Sequence, residues 1–282
     1  MQILAATDFS TRSNRALRQA GLLAQASKAP LTLVHVVDDD QPEALVQMET
    51  REAERILAEQ VSVMAELRGV ECRPIVVGGS PFSGILHTAA SMRADLVVMG
   101  GHRKQLLRDI FIGTTVERVI RTGPFPVLMV VNEAQHRYEK VVIPVDMSEP
   151  SAHAIRIANK VRLISGAPAT LLHAFLPFAK GRMFEAKADI DNYVTNERQR
   201  ATDELIAFLV ANDFNSQGWA LRVEEGGPAE VISRAIDQMH PDLLVMGTHG
   251  RSGLLKALIG SVTEGALRSL KVDILAVPEP KS

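Results

Sequence analysis

Apolar residues along the 282-residue chain fall into two alternating patterns. Short, nearly continuous runs rich in Val, Ile and Leu, such as Val127–Val131, give way to longer stretches whose apolar positions recur at helical spacing. In 51–67 those positions are Ile56, Leu57, Val61, Met64 and Leu67. A continuous apolar run suits a parallel strand covered on both faces, and the wider spacing suits a helix with one buried stripe. The pattern predicts strands over 2–6, 31–37, 72–77, 95–99 and 127–131, with helices over 11–27, 42–68, 82–92 and 115–121. It then repeats, with strands near 140–145, 169–175, 219–224, 242–246 and 272–277. Strands alternating with helices imply right-handed crossovers and a doubly wound parallel α/β sheet. Ligands of such sheets bind at the carboxyl ends of the strands, where the strand order reverses.

The repetition extends to individual residues. Gln2–Ser10 aligns with Lys140–Ser148, and Leu33–Val37 with Leu171–Phe175, both at an offset of 138. Gly79-Ser80-Pro81 aligns with Gly226-Gly227-Pro228, Asp95–Gly100 with Asp242–Gly247, and Gly113-Thr114 with Gly260-Ser261, all at 147. The second copy therefore carries nine extra residues, placed within 176–200. That insert mixes Phe178, Met183, Phe184 and Tyr193 with charges, and reads either as a lid or partner surface or as a longer solvent-facing helix. Two domains are expected, 1–133 and 139–282, and a polar connection as short as 132–139 predicts that they pack together.

Composition narrows the class without naming a function. At 46% hydrophobic, 23% charged and only 4% aromatic, the chain is globular with an aliphatic core. A net charge of −2, with no basic run, gives no electrostatic case for nucleic acid or an anionic membrane. Cys72 is the one cysteine, which fits a reducing compartment and reads as a packing residue. The first eight residues read as strand and turn, not as a leader, and no apolar run approaches a membrane span. A cytoplasmic protein is expected. The histidines show no metal-ligand spacing, and His35 and His173 inside strands read as satisfied, half-buried residues.

The candidate chemistry lies in Gly247-Thr248-His249-Gly250, followed after Arg251–Ile259 by Gly260-Ser261. This stretch leaves a strand and ends at a helix. Gly247 and Gly250 can take positive φ and bring bare backbone close to a phosphate. The unpaired N–H groups at the start of the next helix favour an anion, and the Ser261 hydroxyl can add a hydrogen bond. His249 also sits in the loop, able to face a phosphate. The loop is not a Walker A sequence.

The spacing Gly-x2-Gly-x9-Gly-Ser resembles the ATP-binding signature of the universal stress protein family, and the resemblance spans both halves. It implies a five-stranded parallel, Rossmann-like sheet per domain, with ATP or AMP held by Gly247, Gly250, Gly260 and Ser261. Asp146 would lie near base and ribose, and the backbone of Ala174 near adenine. In the first half Asp8, Val36, Gly100, Gly113 and Thr114 match, but Arg103 stands where the second glycine should be. Arg103 brings bulk where backbone should approach phosphate, although its guanidinium can itself contact phosphate and Gly101 can supply flexibility. Nucleotide is therefore expected chiefly in the second domain. The family also implies stress resistance and pairing through last strands, so that Val127–Val131 and Ile274–Val277 would form a pseudo-dimer within one chain; further pairing into a homodimer is open at this stage.

Plainer readings stand beside these. Thr114-x2-Glu117 and Ser261-x2-Glu264 are both capping-box sequences. Asp8 and Asp146 can serve local turns before Ser10 and Ser148. No nucleophile stands beside a base and no paired carboxylates flank the loop, which favours a nucleotide-binding regulator with little turnover. The alternatives are a slow ATPase or nucleotide-transfer enzyme using Asp146, His249 and Mg²⁺, and a ligand-free interaction scaffold.

Overall fold

The structure is a computed structural model that describes residues 1–101, 114–133, 136–164, 166–176, 187–249 and 259–279. The first half runs β1 (Ile3–Ala6), α1 (Thr11–Ser27), β2 (Leu31–Val37), α2 (Glu43–Val63), β3 (Cys72–Gly78), α3 (Pro81–Ser91), β4 (Leu96–Gly100), α4 (Thr115–Thr122) and β5 (Val127–Val130). The second half repeats the order: β6 (Val141–Pro144), α5 (Glu149–Lys160), β7 (Ala169–Phe175), α6 (Lys187–Ala211), β8 (Ala220–Glu225), α7 (Pro228–Met239), β9 (Leu243–Gly247), α8 (Ser261–Ser269) and β10 (Asp273–Val277). All ten strands join one sheet, in the order β3-β2-β1-β4-β5-β10-β9-β6-β7-β8.

The central strands β1, β4, β5, β9 and β10 are almost wholly buried, as their continuous apolar runs require. Alternate side chains feed two apolar layers. One holds Ile3, Leu17, Leu33, Val98 and Leu275 against α1, α2, α5 and α6. The other holds Leu4, Ile85, Val97, Val119 and Leu244 against α3, α4, α7 and α8.

The helix expected over 42–68 stops at Val63, where Met64 turns extended (φ −70°, ψ 121°) and a single 3-10 turn, Ala65–Leu67, follows. The break lets Met64 and Leu67 enter the core. It also lays the 66 carbonyl against α1 so closely that a Cβ on Gly21 would lie 2.5 Å from the Glu66 oxygen. Periodicity alone cannot register that close approach.

Every strand contact is parallel except the one joining the halves: β5 and β10 pair antiparallel, with Met129, Leu128 and Val127 opposite Ile274, Leu275 and Ala276. Leu128 and Leu275 are equivalent at the 147-residue offset, so a pseudo-twofold axis passes between them. Two edges that would otherwise be exposed are satisfied within one chain. The connection is tied down as well. Buried Asp273 accepts hydrogen bonds from the Val131 and Asn132 N–H groups (2.9 and 3.0 Å) and from the Tyr138 hydroxyl (2.7 Å). Because β5 and β10 run in opposite directions, the carboxyl ends of the two parallel halves open at opposite ends of the sheet.

Candidate functional site

Each half has a cleft where β1 and β4, or β6 and β9, diverge to connect in opposite directions, which is the expected switch point. The second cleft, about 290 Å³, is bordered by Asp146, Ala174, Gly247, His249, Gly260 and Ser261 together. The first, about 540 Å³, is bordered by Asp8, Val36, Gly100 and Thr114. Gly250, Arg103 and Gly113 lie outside the described residues.

The aspartates leave their strands the same way. Asp146 Oδ1 accepts from the Ser148 N–H (3.1 Å), from the Ser148 hydroxyl and from the Ser151 hydroxyl (2.7 Å). Asp8 Oδ1 accepts from the Ser10 N–H at 3.0 Å. Between aspartate and serine, Met147 and Phe9 take left-handed backbone (φ 58° and 60°), an unusual state for such side chains. The turn role is thus real, and it also fixes the carboxyl at the cleft wall. Burial opposes ionisation of Asp8, but hydrogen bonds from Ser10 and Ser13 and the nearby Arg12 outweigh it and hold the carboxyl below its usual range. Ser13 and Ser151 were missed in the sequence, although Asp-x-Ser-x2-Ser occurs in both copies. Arg12 borders only the first cleft; Pro150 stands at its equivalent position.

His35 and His173 are also equivalent: each Nδ1 lies 2.8 Å from a backbone oxygen, of Thr7 or Val145. They are the half-buried, satisfied histidines that the strand pattern suggests. His249 differs. Its Nδ1 lies 3.0 Å from the Thr248 hydroxyl, while its Nε2 is enclosed and has no hydrogen-bond partner among the described residues.

The expectation of positive φ at Gly247 is not met: Gly247 is the last residue of β9, paired with Val277, and its backbone is not left-handed. Its lack of a side chain serves packing instead. A Cβ there would lie 3.2 Å from the backbone oxygens of Pro150 and His249, and one on Gly100 would lie 2.8 Å from the Arg12 carbonyl. Strand end and helix start touch at these points. Positive φ is found instead at Gly79 and Gly226, among others, and these two turn β3 and β8 into α3 and α7.

Two exchanges separate the clefts. Val36 faces Gly84 in the first, where a Cβ on Gly84 would lie 2.9 Å from the Val36 methyls. The second carries Ala174 and Val231 at those places, so bulk moves across the cleft. The helix starts also differ. Thr114 caps α4 in a complete capping box: its hydroxyl accepts from the Glu117 N–H, and Glu117 accepts from the Thr114 N–H (3.1 Å). The matching box at Ser261 does not form. Gly260 occupies the cap position, no side chain caps α8, and Ser261 is the first helical residue. Glu264 is drawn instead to Arg268, at 2.8 Å. The capping-box reading therefore holds for Thr114 and fails for Ser261.

Known proteins place this arrangement. The profile of the universal stress protein family matches twice, over residues 1–131 and 137–278. Universal stress protein E of Escherichia coli K12 is 24% identical over 210 residues, covering 72% of this chain and 66% of that protein, just under two thirds of its length. A universal stress protein of Mycobacterium bovis is 24% identical over 97% of this chain and 95% of its own. Among solved structures, a universal stress protein from Archaeoglobus fulgidus superposes with a TM-score of 0.70 at 18% identity, covering 98% of both chains, which supports the fold. With both halves matched by one profile and the tandem architecture shared, the chain belongs to the universal stress protein family.

Proposed function

We propose that the chain is a stress-response regulator that holds ATP, or another adenine nucleotide, chiefly in the second-half cleft and turns it over little or not at all. The observation that carries this reading is the uncapped start of α8 in a cleft that also gathers Asp146, Ala174 and His249. A helix start of that kind offers free N–H groups and a partial positive charge to a phosphate. Ser261 and His249 add polar side chains to the border of the same cleft. The aliphatic wall of Leu172, Ala174, Val231 and Ile232 suits a flat base. In the first half the capping box already engages the N–H groups of Thr114 and Glu117. The degenerate loop at Arg103 points the same way.

In this reading 1–133 and 139–282 are the two units. Among the described residues no group of three or more His, Cys, Asp or Glu could hold a metal, so Mg²⁺ would arrive on the phosphates. No helix among those residues is long and apolar enough to cross a membrane, and the cytoplasm is the compartment we assign. The low-turnover reading rests on the lack of an evident nucleophile-and-base pair in the sequence.

Ser261→Glu tests the site. An acidic residue in the first turn of α8 is favourable for the helix and repels phosphate. The melting temperature should hold or rise while binding of a fluorescent ATP analogue falls at least about tenfold, the effect of roughly 1.4 kcal/mol. Unchanged binding in a folded variant would rule out α8 as the phosphate seat.

A further inference from the structure

The helices that open the two clefts, α4 and α8, meet across the pseudo-twofold through four charged residues, equivalent in pairs at the 147-residue offset: Glu117 with Glu264, and Arg121 with Arg268. Their contacts are not equivalent. Arg268 Nε donates to Glu117 Oε1 at 3.1 Å, and Arg268 Nη2 lies 2.8 Å from Glu264 Oε1. The reciprocal contact, Arg121 Nη2 to Glu264, is long at 3.9 Å. Arg268 therefore sits between both glutamates and Arg121 stands aside. Glu117, only 3% exposed, spends its other oxygen on the Thr114 N–H of its own helix.

We propose that Arg268 sets which half of the chain presents an open anion seat, holding Glu117 on the start of α4 and Glu264 away from the start of α8. This rests on the nucleotide reading above. A buried carboxylate bonded at both oxygens, one to Arg268 and one to the Thr114 N–H, is held in place, so the start of α4 is already engaged and has little room for a further acceptor. The same guanidinium holds Glu264, which is three residues beyond Ser261 and would otherwise be free to fold back on the start of α8, as Glu117 does on α4. One positioning residue in the second half thus governs both helix starts. The broken symmetry of the charges accounts for the broken symmetry of the caps, which neither copy's own sequence explains, since both carry a capping-box pattern.

The experiment is calorimetric titration of the full chain with ATP in four forms: wild type, Arg268→Met, Arg268→Met with Glu264→Gln, and Glu117→Ala. Arg268→Met should weaken the second site roughly five- to tenfold, the scale of one helix cap, because Glu264 is released onto α8. Adding Glu264→Gln should restore most of that affinity, a recovery that general damage to the interface would not produce. Glu117→Ala should raise the number of sites per chain from one towards two, with the original site reporting that the chain is folded. Wild-type affinity in Arg268→Met, no recovery in the double variant, or a single site in Glu117→Ala would overturn this proposal while leaving the nucleotide reading intact. A wild-type chain that binds no ATP would overturn both.

Discussion

Gly100 and Gly247 end equivalent strands, and the contacts around them are tight for a packing reason. A methyl at Gly100 would meet the Arg12 carbonyl group at 2.8 Å, a backbone atom that cannot swing aside, whereas at Gly247 the nearest atoms are at 3.2 Å. Gly100→Ala is expected to cost about 1–3 kcal/mol in denaturant unfolding, and Gly247→Ala less. These glycines were legible in the sequence as special positions, but their cause was not. A loop glycine and a glycine wedged between a strand end and a helix start look alike until the helix is placed. Asp273 supplies a second residue-scale test. Burial pushes its carboxyl above its ordinary value of 3.8, against the hydrogen bonds from Val131, Tyr138 and Asn132 that favour the charged form. A folded-state pKa above the unfolded one means the folded chain binds the proton more tightly. Stability from this group is therefore greatest below the unfolded pKa and falls as pH rises through the folded one. Asp273→Asn should remove that dependence, so unfolding free energies of wild type and variant should diverge as the pH rises from about 4.

At the scale of elements, the two cap sites predict opposite results from one kind of substitution. Thr114→Ala removes a hydroxyl that accepts the Glu117 N–H and should destabilise the chain by about 1 kcal/mol, read by thermal or denaturant unfolding. Ser261→Ala removes no cap and should leave stability within about 0.5 kcal/mol of wild type. The elements themselves were largely legible. The run Leu31–Val37 and the helix Thr11–Ser27 occur where hydrophobic spacing puts them, because a buried parallel strand and an amphipathic helix leave local signatures. The break at Met64 was not legible, since it depends on α1 lying within reach of the Glu66 carbonyl.

For the whole molecule, the repeat made the tandem architecture readable, and the family resemblance pointed to the last strand of each half as the joint, which β5 and β10 form. The asymmetry between halves was not readable. It depends on Arg268 reaching Glu117 across 151 positions of sequence, and on the clefts exchanging Val36 and Gly84 for Ala174 and Val231. Those are pairwise facts that neither repeat reveals alone. The joint itself should be sensitive at its axis. Leu128 and Leu275 are fully buried and directly opposed, so Leu128→Asp places an unpaired carboxylate in the centre of the ten-stranded sheet. It should unfold or separate the halves together, seen as a large loss of thermal stability compared with the same change at exposed Leu221.

The central claim is that one half of this pseudo-symmetric chain holds nucleotide and the other does not. Its most direct test is the number of ATP molecules bound per chain, by calorimetry on nucleotide-stripped protein, with Ser261→Glu alongside to close the phosphate seat at the start of α8. One site per chain, lost in the variant, is the predicted result. Two sites would contradict the asymmetry, and none would contradict nucleotide binding and leave an interaction scaffold as the better account.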